Sequence, residues 1–217
     1  APPDRLRSPV RQTRNSNSNF PFTLSGDSPK VVEADIYLMC KGTTYSDNLD
    51  YIYSKLPAAL PHLQKLSLTS MLYIFDECQG FVKTSARFIN LRHLTLYLPM
   101  YGDTRSIGAI LRLAYLLELF YWYGVSFSAQ KLKGNMIPYR HDKLKRVFMT
   151  GACSWVGIIE LAYHILRSAR RLESMIMDPV GRIQGASAAD VWMLSKCRRM
   201  AKRLLERDEF QGILTIL

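Results

Sequence analysis

The chain lacks the features that would mark a membrane protein, a disulfide scaffold or a familiar catalyst. Uncharged runs such as Leu119 to Gln130 and Val147 to Ile159 fall well short of the roughly 20 residues that cross a bilayer, so no transmembrane segment is expected. No basic cap followed by an apolar run opens the sequence, and it starts at Ala1 instead of Met, so it reads as an excised fragment and not a secretory precursor. The four cysteines, Cys40, Cys78, Cys153 and Cys197, form no CxxC pair and lie far apart. That spacing argues against a zinc site or disulfide framework and for small buried side chains. Asn-x-Ser/Thr is absent, which fits a reducing interior, cytoplasmic or nuclear. Neither a GxSxG elbow nor a GxxxxGK phosphate loop occurs. His62, His93, His141 and His164 are scattered, and Asp76-Glu77 and Glu206 to Glu209 have no second carboxylate at a defined spacing, so no general acid/base pair can be assembled. No catalytic residue, cofactor or metal site is expected, and the chain is not expected to be an enzyme.

Acidic residues are also in deficit. Against 18 Asp and Glu stand 29 Lys and Arg, a formal net charge of +11. The cations collect in three places: Arg5, Arg7, Arg11 and Arg14; Lys131 to Arg146; and Lys196 to Arg207. A basic chain invites a nucleic-acid reading. No aromatic platform interleaves with these clusters, and the last one falls on a helix whose other face is apolar, the pattern of a solvated surface. Nucleic acid is therefore kept as the alternative partner, a protein being the principal one.

What is present is a repeat. At 217 residues and 48% hydrophobic content the chain can bury one substantial core. Residues 1–30, rich in Pro, Arg, Ser and Asn, read as a flexible basic linker. Val31 to Leu38 has the alternation and β-branching of a strand. Beyond it the LxxLxL template recurs as Leu63/Leu66/Leu68, Leu91/Leu94/Leu96, Leu116/Leu119/Tyr121, Leu144/Val147/Met149 and Leu172/Met175/Met177, with first members 25 to 28 residues apart. That is the period of leucine-rich repeats. The last two positions of each template are two apart and share one side of a short strand, while the first enters the core from the preceding turn. Helix-compatible segments separate the strands: Phe81 to Phe88, Ser106 to Tyr115 and Val156 to Ala169, the latter two with 3.6-residue periodicity.

Strand, helix, parallel strand is the economical reading, since one repeat cannot cover its own apolar face but five in register can. The expected fold is α/β, a leucine-rich-repeat solenoid over residues 31–186, with a short curved parallel sheet and helices on the convex side. Residues 187–217 are assigned to a C-terminal capping helix and tail, with a capping box at Ser187 to Asp190 and a possible final strand at Gly212 to Leu217. A compact doubly wound fold is the alternative. The residues flanking each inward pair would line the concave face: Lys65, Ser67 and Thr69; His93, Thr95 and Tyr97; Glu118, Phe120 and Trp122; Arg146, Phe148 and Thr150; Ser174, Ile176 and Asp178. In this reading Tyr97, Phe120, Trp122 and Phe148 form an aromatic ridge beside Arg146, the residue types that dominate interface hot spots. Because Tyr121-Trp122-Tyr123 is so aromatic, a loop or the C-terminal helix folding over the ridge is the competing expectation.

PYRHDKLKRVFMTG (138–151), IELAYHIL (159–166) and RLESMIMDP (171–179) carry the pattern HDxLKxVxxxG, ELxxxIL and LExxxxD. Together with LPHLQKLSLTS (60–70) and FINLRHLTLYL (88–98), they resemble the C-terminal block of plant F-box proteins with a leucine-rich-repeat or FBD-type region, over about residues 55 to 210. The resemblance implies that the repeats hold a protein substrate while an N-terminal F-box docks on the adaptor of a cullin-based ubiquitin ligase. Residues 1–30 are too polar to be that F-box, so adaptor binding is expected only through a segment this chain does not contain. A monomer is expected.

Overall fold

The computed structural model describes residues 30–38, 55–70, 87–98, 104–124, 140–151, 156–178, 188–205 and 208–217. Its elements in chain order are β1 (Glu33–Leu38), α1 (Leu56–Ala59), β2 (Lys65–Ser70), β3 (His93–Leu98), α2 (Thr104–Leu113), β4 (Leu119–Gly124), β5 (Arg146–Thr150), α3 (Val156–Ser168), β6 (Ser174–Asp178), α4 (Ala188–Leu205), a 3-10 turn (Asp208–Phe210) and β7 (Leu214–Ile216). The seven strands form one sheet in sequential order. Every neighbouring pair is parallel. A doubly wound sheet reverses its strand order partway; this one never does. The chain has an α/β repeat fold.

A single backbone junction recurs at the start of the strands. The carbonyl of Val32 accepts the amides of both Gln64 and Lys65, that of Gln64 accepts Arg92 and His93, that of Arg92 accepts Glu118 and Leu119, that of Glu118 accepts Lys145 and Arg146, and that of Lys145 accepts Glu173 and Ser174, at 2.8 to 3.2 Å. Each carbonyl has two lone pairs, so one acceptor satisfies the last turn amide and the first strand amide of the next repeat.

This junction aligns the alternation of all the strands. Ala34, Leu66, Leu94, Phe120, Val147, Met175 and Leu214 fall in one column, and Ile36, Leu68, Leu96, Trp122, Met149, Met177 and Ile216 in another. All join the core, with Leu63, Leu91, Leu117, Leu144 and Leu172 behind them. The third repeat therefore reads Leu117/Phe120/Trp122, one residue later than the expected Leu116/Leu119/Tyr121. Phe120 is 0% and Trp122 3% exposed, so neither belongs to the open face. Two outer strands also extend the expected five: β1, with Val31, Ala34 and Ile36 in the template positions, and β7 from the expected Gly212 to Leu217 segment.

The helices share the core side. Ile110, Leu111 and Ala114 of α2 and its exit, Ile159, Ala162 and Ile165 of α3, and Ala201 and Leu205 of α4 all enter the same cluster. Helix α2 packs against α3, and α3 against α4. Helix α4, expected as the C-terminal cap ahead of a final strand, lies between β6 and β7 in the chain and packs against β7. Of the expected helix over Phe81 to Phe88 only the last two residues are described, and Ser187 of the expected capping box lies outside the described residues, as do residues 1–29 of the linker.

The large Trp122 is accommodated by glycine. A Cβ on Gly124 would lie 2.1 Å from its Cζ2, and one on Gly151, where φ is 130°, would lie 1.4 Å from the carbonyl oxygen of Gly124. The indole Nε1 is buried with no hydrogen-bond partner among the described residues, a desolvation cost of about 1–3 kcal/mol. Removing only that donor should nearly offset the lost volume. Trp122→Phe is expected to change stability by under about 1 kcal/mol and Trp122→Ala to lower it by about 3–5 kcal/mol in urea unfolding; an Ala variant as stable as the parent would place Trp122 in solvent, with Leu119 and Tyr121 facing the core.

Candidate functional site

The face opposite the core is built from the alternate residues of each strand. Its first row is Glu33, Lys65, His93, Leu119, Arg146 and Ser174; its second Asp35, Ser67, Thr95, Tyr121, Phe148, Ile176 and Thr215; its third Tyr37, Thr69, Tyr97, Tyr123, Thr150 and Asp178. The expected Lys65, Ser67, His93, Thr95, Tyr97, Arg146, Phe148, Thr150 and Ile176 all lie on this face. Glu118, Phe120 and Trp122 do not. Glu118 sits in the turn before β4 and forms an ion pair with Arg92, while Phe120 and Trp122 point into the core. The physical reason is the one-residue slip of the third repeat, which exchanges the two faces of a strand.

Leu119, Tyr121 and Tyr123 take their place. Tyr97 and Tyr123 are register partners on adjacent strands and stack with centroids 4.7 Å apart and planes 13° apart. Tyr121 lies 6.4 Å from Tyr123 along β4, and Phe148 is tilted against both at 5.9 Å. These four rings make a continuous platform across β3, β4 and β5. Offset stacking of this kind contributes about 0.5–1.5 kcal/mol per pair beyond burial and fixes the ring orientations. Partial burial raises the Tyr123 phenol above its ordinary pKa, with the neighbouring Tyr97 and Tyr121 adding to the shift, so it remains a hydrogen-bond donor at neutral pH. The face reaches solvent: Tyr97 is 41% and Tyr37 60% exposed. Of the two expected covers, helix α4 contributes its buried residues to the opposite side of the sheet, and the segments that follow β3, β4, β5 and β6 lie outside the described residues.

Charges flank the platform unequally. Toward β1, Lys65 Nζ donates to Glu33 Oε2 at 3.5 Å. Toward β6, Thr150 Oγ1 donates to Asp178 Oδ2 at 3.5 Å. At the strand-start edge, Arg146 is exposed and leads into the turns that carry Lys145 and Arg171.

The histidines do not converge on this face. His93 is the only one in its rows. His141, expected in a turn, is 1% exposed, and its amide donates to the Ser168 carbonyl at 3.3 Å, which ties the β5 entry to the end of α3. Burial lowers the His141 pKa to about 4, assisted by the nearby His164 and opposed by Asp142. Burial lowers His164 as well. Both are placed as packing groups of the α3 layer. Among the described residues no helix is long and apolar enough to cross a membrane.

A histidine whose folded pKa lies below its unfolded value stabilises the fold above the unfolded pKa, near 6.5, and that contribution is lost as the pH falls toward the folded value. The unfolding free energy from urea titrations is therefore expected to drop between about pH 6.5 and 4, by roughly 3 kcal/mol for His141. His141→Asn should flatten most of that slope; an unchanged slope in the variant would remove His141 as its source.

The sequence matches the family model described as At1g61320/AtMIF1, LRR domain, over residues 18–216. No curated protein and no solved structure matches the chain.

Proposed function

The chain belongs to the At1g61320/AtMIF1 leucine-rich-repeat domain family, and from that premise we propose that it is a non-catalytic protein-recognition module. The observation that carries this reading is the aromatic platform of the exposed Tyr97 and the half-buried Tyr121, Tyr123 and Phe148 at the centre of a seven-strand parallel sheet. Rigid tyrosines lose little conformational freedom on binding, offer both apolar surface and hydroxyls, and are enriched among residues that dominate interfaces. The hydroxyl-bearing Ser67, Thr69, Thr95, Thr150 and Ser174 around them supply adaptable hydrogen bonds. Nothing in this arrangement needs a cofactor.

In the finer reading the sheet is a short solenoid whose concave side is this platform face, and α4 with β7 closes its C-terminal end. The repeats hold a protein substrate for a plant F-box protein of a cullin-based ubiquitin ligase, in the cytoplasm or nucleus, as a monomer. Contact with the ligase adaptor belongs to an F-box outside these residues. The support for that role is the likeness of the HDxLKxVxxxG, ELxxxIL and LExxxxD blocks to such proteins.

Replacing Tyr97 and Tyr123 together by Ser leaves the buried columns untouched, so the circular dichroism of the variant should match the parent. Proteins retained by the parent from a plant extract should bind the variant at least about tenfold more weakly in a titrated pull-down read by mass spectrometry. Equal retention would show that the platform is not the recognition surface.

A further inference from the structure

The strand-start edge beside the platform carries an uncompensated charge. The turn entering β5 holds Arg140, Lys143 and Lys145, β5 opens with Arg146, and the turn entering β6 holds Arg170 and Arg171, all exposed. These two turns are neighbours: the His141 amide reaches the Ser168 carbonyl, and the Lys145 carbonyl accepts the amides of Glu173 and Ser174. Six cations thus share one edge with two exposed carboxylates, Asp142 and Glu173. At the strand starts of the preceding repeats, by contrast, Lys65 is paired with Glu33 and Arg92 with Glu118. Among the described residues none of the six cations has a carboxylate within ion-pair distance. At physiological salt their fields overlap within about 8 Å.

The edge runs into the platform through Arg146, which shares its face of β5 with Phe148, and Phe148 contacts Tyr121 and Tyr123. We propose that this edge receives an acidic segment of a protein partner, whose carboxylates meet Lys143, Lys145, Arg146 and Arg171 while adjoining apolar side chains rest on the tyrosine platform. The proposal rests on the protein-recognition reading and adds the chemistry of the partner. Arg146 offers a fork suited to bidentate carboxylate pairing. A nucleic acid also carries negative charge and could stack on rings, so it is the rival. Two features favour the peptide. Tyr97 and Tyr123 already stack on one another at 4.7 Å, leaving no slot for a base between them. A uniformly charged backbone following the platform across the strands would meet Glu33 and Asp35 at one end and Asp178 at the other. An acidic cluster confined to one end of a peptide avoids both.

Fluorescence anisotropy decides between them with three labelled probes: a Glu-rich peptide ending in Tyr-Leu, its Gln-substituted twin, and single-stranded oligothymidylate. The Glu peptide is expected to bind, with affinity falling as salt rises, and the Gln twin to bind about tenfold more weakly. Lys145→Glu with Arg171→Glu should weaken the Glu peptide about tenfold. Arg198→Glu with Arg199→Glu, the same charge change on exposed positions of α4, should leave it within about twofold. The proposal is overturned by no binding of the Glu peptide, by equal losses in the two charge-reversed variants, or by tighter binding of oligothymidylate. Capture from extract separates its failure from that of the parent reading. Partners lost by the Tyr97/Tyr123 variant but kept by the Lys145/Arg171 variant would sink the acidic segment and leave protein recognition standing.

Discussion

The carbonyls of Val32, Gln64, Arg92, Glu118 and Lys145 each hold two amides of the repeat that follows, and the rest of the molecule depends on that shared acceptor. It sets the register at the point where each strand begins. Because side chains alternate with a period of two, setting the first residue sets which side every later residue faces. Two columns of apolar side chains then meet the helices, and a third set of rows is delivered to the other side without any contact of its own needed to place it. The tyrosine platform is in this sense a by-product of core packing: Tyr121 and Tyr123 face outward because Phe120 and Trp122 face inward.

The same logic explains how much was legible in the sequence. The period from Leu63 to Met177 predicted parallel strands, their number in the middle of the sheet and the inward residues of four repeats. The third repeat was misread because Leu116 and Leu117 stand side by side and both satisfy the template. Spacing alone could not choose. Two chemical signals could have: Tyr121 and Tyr123 carry hydroxyls that favour water over an apolar core, and starting from Leu117 evens the neighbouring intervals to 26 and 27. The outer strands were expected as strands but not counted among the repeats. β1 presents Ala34 where the other strands present the larger Leu, Phe, Val or Met, and β7 follows a long helix with only Leu214 and Ile216 to mark it, so neither repeats the template strongly.

The candidate site was legible in kind more than in membership. An aromatic ridge beside Arg146 was expected, and two of its four rings differ, Tyr121 and Tyr123 standing where Phe120 and Trp122 were expected. The basic edge was visible only as a charge run from Lys131 to Arg146, because its second half, Arg170 and Arg171, reaches it through the fold and not through the chain. Linear clusters of charge are poor guides in a repeat protein, where residues one period apart are neighbours.

The sequential strand order has a mechanical consequence. The two outer strands, β1 and β7, lie at opposite margins of the sheet, and the direction from one to the other runs along the inter-strand hydrogen bonds. A pull applied between those margins loads each strand pair in tension, one after another, instead of shearing many bonds at once. The molecule is therefore compliant along its own length and stiff across it, so a partner lying over several strands would act as a splint.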